Sequence, residues 1–160
     1  MAKTFTTMVE LENYVGHLCT EAIRHAMQRC VKQLRTYIDE DYYKQYEPLF
    51  YKPRTMEFFK SATATLLSPT SAEIGIDDDY FNYEYPARYM MFENGGGTDR
   101  NVSGHWTGED QVNMAAHGYH GSYDIQTEGR FWDDFSEWMN ENAIRILREE
   151  LEIQGLKLSK

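Results

Sequence analysis

The sequence predicts an α+β fold in which a long N-terminal helix and a C-terminal helix pack on a small antiparallel β-sheet. Three observations support this prediction. Apolar residues recur at helical spacing early in the chain, residues 62–76 alternate with a period of two around a proline turn, and the last segment regains helical spacing. A chain of 160 residues has the size of one domain, so we expect residues 1–160 to form a single domain.

The first helix is predicted over about residues 7–45. Thr7 and Glu10 match a capping box, in which each side chain accepts a hydrogen bond from the backbone N–H of the other residue. The apolar stripe that follows comprises Leu11, Val15, Leu18, Ala22, Ala26, Cys30, Leu34, Tyr37, Ile38 and Tyr42. A continuous helix of about 35 residues would span about 50 Å, more than a compact domain of this size covers, so one end should project or bend. The alternative is a break into two ordinary helices near Asp39–Asp41.

The two cysteines, Cys19 and Cys30, both fall within this helix. Eleven residues of helix separate them by about 16 Å, so they cannot form a disulfide with each other. We find no signal peptide and no apolar run near the roughly 20 residues that span a bilayer. The sequence therefore predicts a protein of the cytosol that makes no contact with a membrane.

A β-hairpin is predicted inside a sheet region that covers about residues 54–92. Ala62–Thr65 alternates small apolar and β-branched polar residues, Pro69 marks a turn, and Ile74 and Ile76 restore the period of two. These features are typical of two antiparallel strands that bury one face.

The segment 80–92 is dense in tyrosine and methionine and has the alternation of an extended chain, although Pro86 disfavours a central strand. Tyrosine is enriched at protein interfaces. This segment is therefore a candidate contact surface, and the alternative is that its aromatic side chains fill the core.

A flexible, glycine-rich arm is predicted over about residues 93–108, because Asn94 leads into three consecutive glycines and no apolar period follows. Residues 109–117 are suited to a short helix. The C-terminal helix is predicted over about residues 131–154, with Asp133 and Asp134 in its first turn and Gly155 as its stop signal.

The chain carries no recognisable catalytic motif, and we expect no enzymatic activity, no metal and no cofactor. The strongest metal candidates are His117 and His120, with His105 upstream. A zinc site needs three or four converging ligands, and these histidines lack the intervening glutamate of the metalloprotease pattern. Asp77–Asp79 lacks the ligand spacing of an EF-hand. A metal-dependent hydrolase built on the three histidines remains the alternative from another class.

The formal net charge is -10, from 26 acidic and 16 basic residues. A nucleic-acid-binding protein usually presents a basic patch, so this balance argues against specific binding to DNA or RNA. Most of the acidic side chains should form a solvated surface.

The most distinctive part of the sequence is a set of short segments between residues 51 and 156. In chain order they are Tyr51–Ser61 with its Arg54-Thr55 start, the hairpin, Ile74–Asp79, His117-Gly118, Arg130–Phe135 and Leu151–Leu156. In this order the segments resemble a family of small siphophage tail-completion or neck proteins, which are minor tail components. The chain departs from the family's pattern between Asn94 and Gly108, where it is longer and richer in glycine.

The resemblance implies a non-enzymatic virion protein of the neck or tail end, made in the host cytoplasm. Such a protein would form a ring, with six copies expected, that completes the tail and allows head-to-tail joining. Its partners would be the tail tube, the tail terminator and the head-closure or connector proteins, and genomic DNA would pass through without specific binding. Head closure and tail termination are the neighbouring alternatives, and a small cytosolic adaptor is another.

Under this reading, the candidate subunit contacts are Tyr83, Tyr85, Tyr89, Met90 and Arg100. Arg54 is a candidate structural anchor that would pair with a carboxylate or a helix end.

Overall fold

One long helix, α1, spans Met8–Ile38. The computed structural model of the protein describes residues 4–47, 56–81, 89–93, 96–100, 108–119 and 126–156. The helix begins as predicted, because Thr7 Oγ1 accepts a hydrogen bond from the Glu10 backbone N–H at 3.2 Å. The return bond differs from a capping box: the Glu10 carboxylate accepts hydrogen bonds from the backbone N–H and the hydroxyl of Thr6, at 2.9 and 2.7 Å.

The chain stays helical beyond α1 but changes its winding at the acidic run. Asp39–Tyr43 forms a π-helical turn, in which the Lys44 N–H donates to the Asp39 carbonyl at 2.9 Å. A π turn widens the helix by one residue, and three consecutive acidic residues are unfavourable near the negative end of a helix dipole. The structure therefore lies between the two alternatives, since the helix is continuous but locally irregular.

The C-terminal helix, α4, spans Phe131–Ile153 and runs antiparallel to α1. Its first turn packs near Ile38, while its last turns meet Arg29. It ends as predicted at Gly155, whose φ is +92°. The Gly155 N–H donates to the Glu152 carbonyl, and the next N–H donates to the Leu151 carbonyl, which together make a Schellman motif. None of the described helices combines the length and the apolarity needed to cross a membrane.

The predicted hairpin is formed by β1, Ala62–Ser68, and β2, Ser71–Ile76, which pair antiparallel. A short helix, α2 (Glu57–Lys60), leads into β1. The hairpin lies along α1, and its turn lies beside Thr20, whose hydroxyl donates to the Gly16 carbonyl at 2.9 Å and is 3.4 Å from the Pro69 carbonyl oxygen. The sequence's prediction of an α+β fold with a small antiparallel sheet is confirmed.

A second hairpin differs from the sequence-based expectation. β3, Tyr89–Glu93, pairs antiparallel with β4, Gly96–Arg100. Residues 96–100, which lie in the segment predicted as a flexible arm over residues 93–108, thus form a strand. The reason is that strand pairing uses backbone hydrogen bonds, which glycines can make as well as other residues. The short helix expected after it, α3, spans Gly108–Ala116.

The core lies where α1, β1, α3 and the start of α4 meet. Its buried members are Leu34, Ile38, Ala62, Ala115, Phe131 and Phe135. Phe58 of α2 contacts this core edge-on, with its ring centroid 5.3 Å from that of Phe131. Ala22 and Cys30 of α1 and Ile146 of α4 are buried as well.

Gly118 and Gly129 bring the end of α3 against the entry to α4. Their φ angles are +79° and +53°, which residues with a side chain adopt at a cost. A Cβ on Gly118 would lie 2.1 Å from the Thr127 carbonyl oxygen, and the Thr127 N–H donates to the Gly118 carbonyl at 2.9 Å. Only glycine fits this close approach of two backbones.

Gly118→Ala should lower the free energy of unfolding by about 2 kcal/mol or more, because left-handed strain and a backbone clash act together. The matched control is Gly16→Ala in α1, where nothing lies within 4 Å of an added Cβ. There, alanine should raise the free energy of unfolding by about 0.5–1 kcal/mol. Urea denaturation measures both changes, and a neutral Gly118→Ala variant would contradict the account of this turn.

Candidate interaction site

A cluster of charged side chains joins α1 to the C-terminal half of α4. Arg29 Nη1 donates to Glu150 Oε1 at 2.9 Å, and Arg29 Nη2 donates to Glu149 Oε2 at 2.8 Å. Arg145 Nη1 donates to the other oxygen of Glu149 at 2.6 Å, and His25 Nδ1 lies 3.5 Å from Glu150 Oε2. Glu150 is only 5% exposed. The cluster therefore fixes how far α4 runs along α1.

The pKa shifts in this cluster follow from these contacts. The pKa of Arg29 is raised by its hydrogen bonds to Glu150 and then Glu149. The pKa of Glu149 is lowered by its hydrogen bonds from Arg29 and then Arg145. A carboxyl whose pKa is depressed on folding stabilises the fold above its unfolded pKa, and this contribution is lost as the pH falls through the folded pKa. The ion pairs that Glu149 makes with Arg29 and Arg145 should therefore weaken in acid.

The axial position set by this cluster leaves the first turns of α1 beyond the ends of α4 and of the β1–β2 hairpin. His25 is level with Glu150, α4 ends three residues later at Ile153, and the hairpin turn reaches only to Thr20. The residues before Thr20 extend roughly 18 Å further along the helix axis. The length of the helix had indicated that one end should project or bend, and the first of these describes the structure.

We call Met8–Asn13 the α1 projection. All of its residues are exposed, including Met8 at 69%, Val9 at 63% and Leu11 at 37%. Glu10 and Glu12 add two carboxylates. Exposed apolar side chains in a group mark an interaction site more often than single ones do.

A groove of about 790 Å³ lies between α1 and the outer edge of β1. We call it the basic groove, because Arg24, Lys32 and Arg35 are the charged side chains among the described residues that line it, and none of that lining is acidic. Its apolar lining includes Met27, Val31, Phe59 and Leu66.

Arg35 ties the two walls of the basic groove together. Its Nη2 donates to the Ala62 carbonyl at 3.0 Å, and its guanidinium lies 5.8 Å from the centroid of the Phe59 ring. The Asp77 N–H donates to the Ser61 carbonyl, so residues 61, 63 and 65 face β2. The backbone groups of Ala62, Ala64 and Leu66 therefore point outward, towards the groove.

A larger cleft, of about 1180 Å³, lies between the end of β2, α3 and the start of α4. The charged side chains that line it are predominantly acidic: Asp78, Glu109, Asp110, Glu128 and Asp133. Arg130 also lines it and donates to Asp134 Oδ1 at 3.0 Å, which raises the pKa of Arg130. Two concave surfaces of opposite charge thus lie on different parts of the molecule.

The structure places three of the predicted contact residues on one hairpin. Tyr89 is paired with Arg100, and Met90 is paired with Asp99, at the end of the β3–β4 hairpin away from its turn. Tyr83, Tyr85 and Arg54 lie outside the described residues. The contact roles of Tyr89, Met90 and Arg100 remain predictions.

Of the histidines considered as metal ligands, His117 is exposed and its Nδ1 lies 2.7 Å from the Asn113 carbonyl of its own helix. His105 and His120 lie outside the described residues. In the part of the chain that the structure describes, no three His, Cys, Asp or Glu side chains are grouped so that they could hold a metal ion.

Cys19 and Cys30 are both free, as their spacing predicts, and burial raises the pKa of the Cys30 thiol.

Sequence reasoning missed the charged cluster and the basic groove. Arg29 and Glu150 are 121 residues apart, so no local pattern links them. One signal was present: Glu150 follows Ile146 at the four-residue spacing of the buried face of α4, and a carboxylate at such a position needs a cationic partner.

By architecture, the described residues form an α+β protein of two long antiparallel helices and two two-stranded antiparallel sheets. Its distinctive sites are a helix end and two charged concavities. The sequence matches the YomN family model over residues 7–152, and the chain belongs to that family. The family is phage-derived, and the chain is accordingly a phage protein. Neither the curated proteins nor the solved structures gave a match.

Arg29→Met should lower the free energy of unfolding by about 2 kcal/mol, because buried Glu150 would lose its main cationic partner. This figure is below the range for fully buried pairs, since the Arg29 side chain is 40% exposed. The matched control is Arg24→Met on the same helix. Arg24 approaches Glu21 only at 3.9 Å and is 58% exposed, so its loss should change stability by about 0.5 kcal/mol or less. Urea denaturation measures both changes, and equal losses of stability in the two variants would contradict a stabilising role for the ion pair between Arg29 and Glu150.

Asp41→Asn should stabilise the protein at neutral pH. The pKa of Asp41 is raised by burial and then by the charges of Asp134 and Glu40, and its Oδ2 is buried without a hydrogen bond from any described residue. The fold therefore holds this proton more tightly than the unfolded chain does, and stability falls as the pH rises through the raised pKa. We expect the variant to gain a few degrees in Tm at pH 7, at roughly 2–4 °C per kcal/mol, and less near pH 3.5. A larger gain in Tm near pH 3.5 than at pH 7 would contradict the raised pKa of Asp41.

Proposed function

We propose that this protein is a structural component of the bacteriophage virion, which forms a ring at the neck or tail end, completes the tail and allows the head to join it. The observation that carries the proposal is the α1 projection, a helix end with exposed Met8, Val9 and Leu11 in a member of a phage-derived family. Assembly proteins need such exposed apolar contacts, whereas a finished monomer gains nothing from them.

The proposed mechanism is geometric. The Arg29 cluster at one end and the Phe131 core at the other hold α1 and α4 as one rigid body. The α1 projection is therefore presented at a fixed distance and angle, which a symmetric ring requires of every subunit. The resemblance to tail-completion and neck proteins is the basis for two further parts of the proposal. These are a ring of six copies and contacts to the tail tube, the tail terminator and the head-closure proteins.

The surface charge supports the same function. With a net charge of -10, much of the surface repels phosphate groups, so genomic DNA could pass a ring of these subunits without being held. The β3–β4 hairpin, which carries Tyr89, Met90 and Arg100, would supply further contacts between subunits.

Deleting the gene from the phage or prophage that encodes it tests the proposal. Negative-stain electron microscopy of the lysate should show filled heads and separate tails of normal length, and infectivity should be lost. Overlong tails would indicate a function in tail termination instead. Tails joined to heads that have lost their DNA would contradict a function in tail completion. Intact, infectious particles would remove the assembly function.

Val9→Asp should block complementation of this deletion while leaving the purified protein folded. Val9 is 63% exposed, so the change should alter stability by about 0.5 kcal/mol or less, yet a charge at the centre of a contact should reduce phage yield by about tenfold or more. Ile144→Asp is the matched control, since Ile144 is 71% exposed on α4 and lies outside the proposed contact. Full yield from Val9→Asp, or an equal defect in the control, would contradict the assignment of the projection.

A further inference from the structure

The α1 projection and the basic groove are complementary in charge. The projection carries Glu10 and Glu12. Among the described residues, Glu10 is hydrogen-bonded to neutral groups of Thr6 and Thr7 and to no cation. In the groove, Arg24 approaches Glu21 only at 3.9 Å, and Lys32 makes no ion pair with any described residue. Each surface therefore holds charge of the sign that the other lacks.

The two surfaces also match in apolar character. Met8, Val9 and Leu11 are exposed on the projection, and the groove offers Met27, Val31 and Phe59 between its cationic groups. Arg35 Nε in the groove is buried and has no hydrogen-bond partner among the described residues. An apolar contact framed by opposite charges is the usual arrangement of a specific protein interface.

The groove is large enough for such a contact. The projection, Met8–Asn13, is about 9 Å long, and the groove measures about 790 Å³, which gives room for the exposed side chains on one face of a turn and a half of helix.

The contact cannot form within one chain. The projection and the α1 wall of the groove belong to the same continuous helix, Met8–Ile38, and their centres are about 30 Å apart along its axis. A rigid helix cannot bend its first turns onto its own middle. The occupant must be a separate copy.

We propose that the α1 projection of one copy docks into the basic groove of a second copy. Because the two surfaces differ, the contact is heterologous, and repeating it generates a ring if the rotation closes and a filament if it does not. The inference deepens the proposed function, from which it takes the expectation of a ring, by naming the two surfaces that meet.

Charge reversal tests the contact on the purified full-length chain by sedimentation velocity over a range of concentrations. The wild type should self-associate. Glu12→Lys and Lys32→Glu should each weaken self-association by about fivefold to tenfold, because each places like charges together. Glu137→Lys, an exposed reversal on α4, is the control and should have no effect.

An equimolar mixture of Glu12→Lys and Lys32→Glu chains should regain association, since a reversed projection then meets a reversed groove and the unaltered surfaces meet each other. A wild type that stays monomeric, reversals without effect, or a mixture that does not recover would each overturn the contact. A monomeric protein whose deletion still separates heads from tails would refute only this contact. Association in solution together with an infectious deletion would refute only the proposed function.

Discussion

The ionic clamp between Arg29 and the pair Glu149 and Glu150 is the constraint on which the rest of the structure depends. Because Glu150 is buried, sliding α4 by one turn along α1 would leave a carboxylate unpaired away from water, which is strongly unfavourable. The clamp thus selects one axial position for the two helices. The length of α1 left beyond α4 and the hairpin turn, and with it the α1 projection, follows from that position.

At the other end of the helix pair, apolar packing sets the same position independently. Phe131 and Phe135 fill the space beside Leu34 and Ile38, and the glycine contact between Gly118 and Gly129 delivers the chain to the start of α4 at close range. Two fixed points on one pair of helices make a rigid body. The projection and the basic groove are therefore held at a constant separation on one helix.

The elements that could be predicted are those encoded locally. The Thr7 cap, the alternation from Ala62, and Gly155 as a stop each act over a few residues, and each is present in the structure. β4 was missed because glycines indicate flexibility, whereas backbone pairing needs no side chain. At the candidate site, Lys32 and Arg35 could be read as basic positions on a helix, but the strand edge that completes the groove could not. The partner of Arg29 lies 121 residues away, and only the assembled fold brings it near.

Cryo-electron microscopy of purified infectious particles tests the central claim most directly. The account predicts a ring of this chain at the junction of head and tail. In the density of that ring, α1 and α4 should lie antiparallel, with the first turns of α1 reaching the neighbouring subunit. Particles in which the junction is complete and contains no copy of this chain would contradict the account.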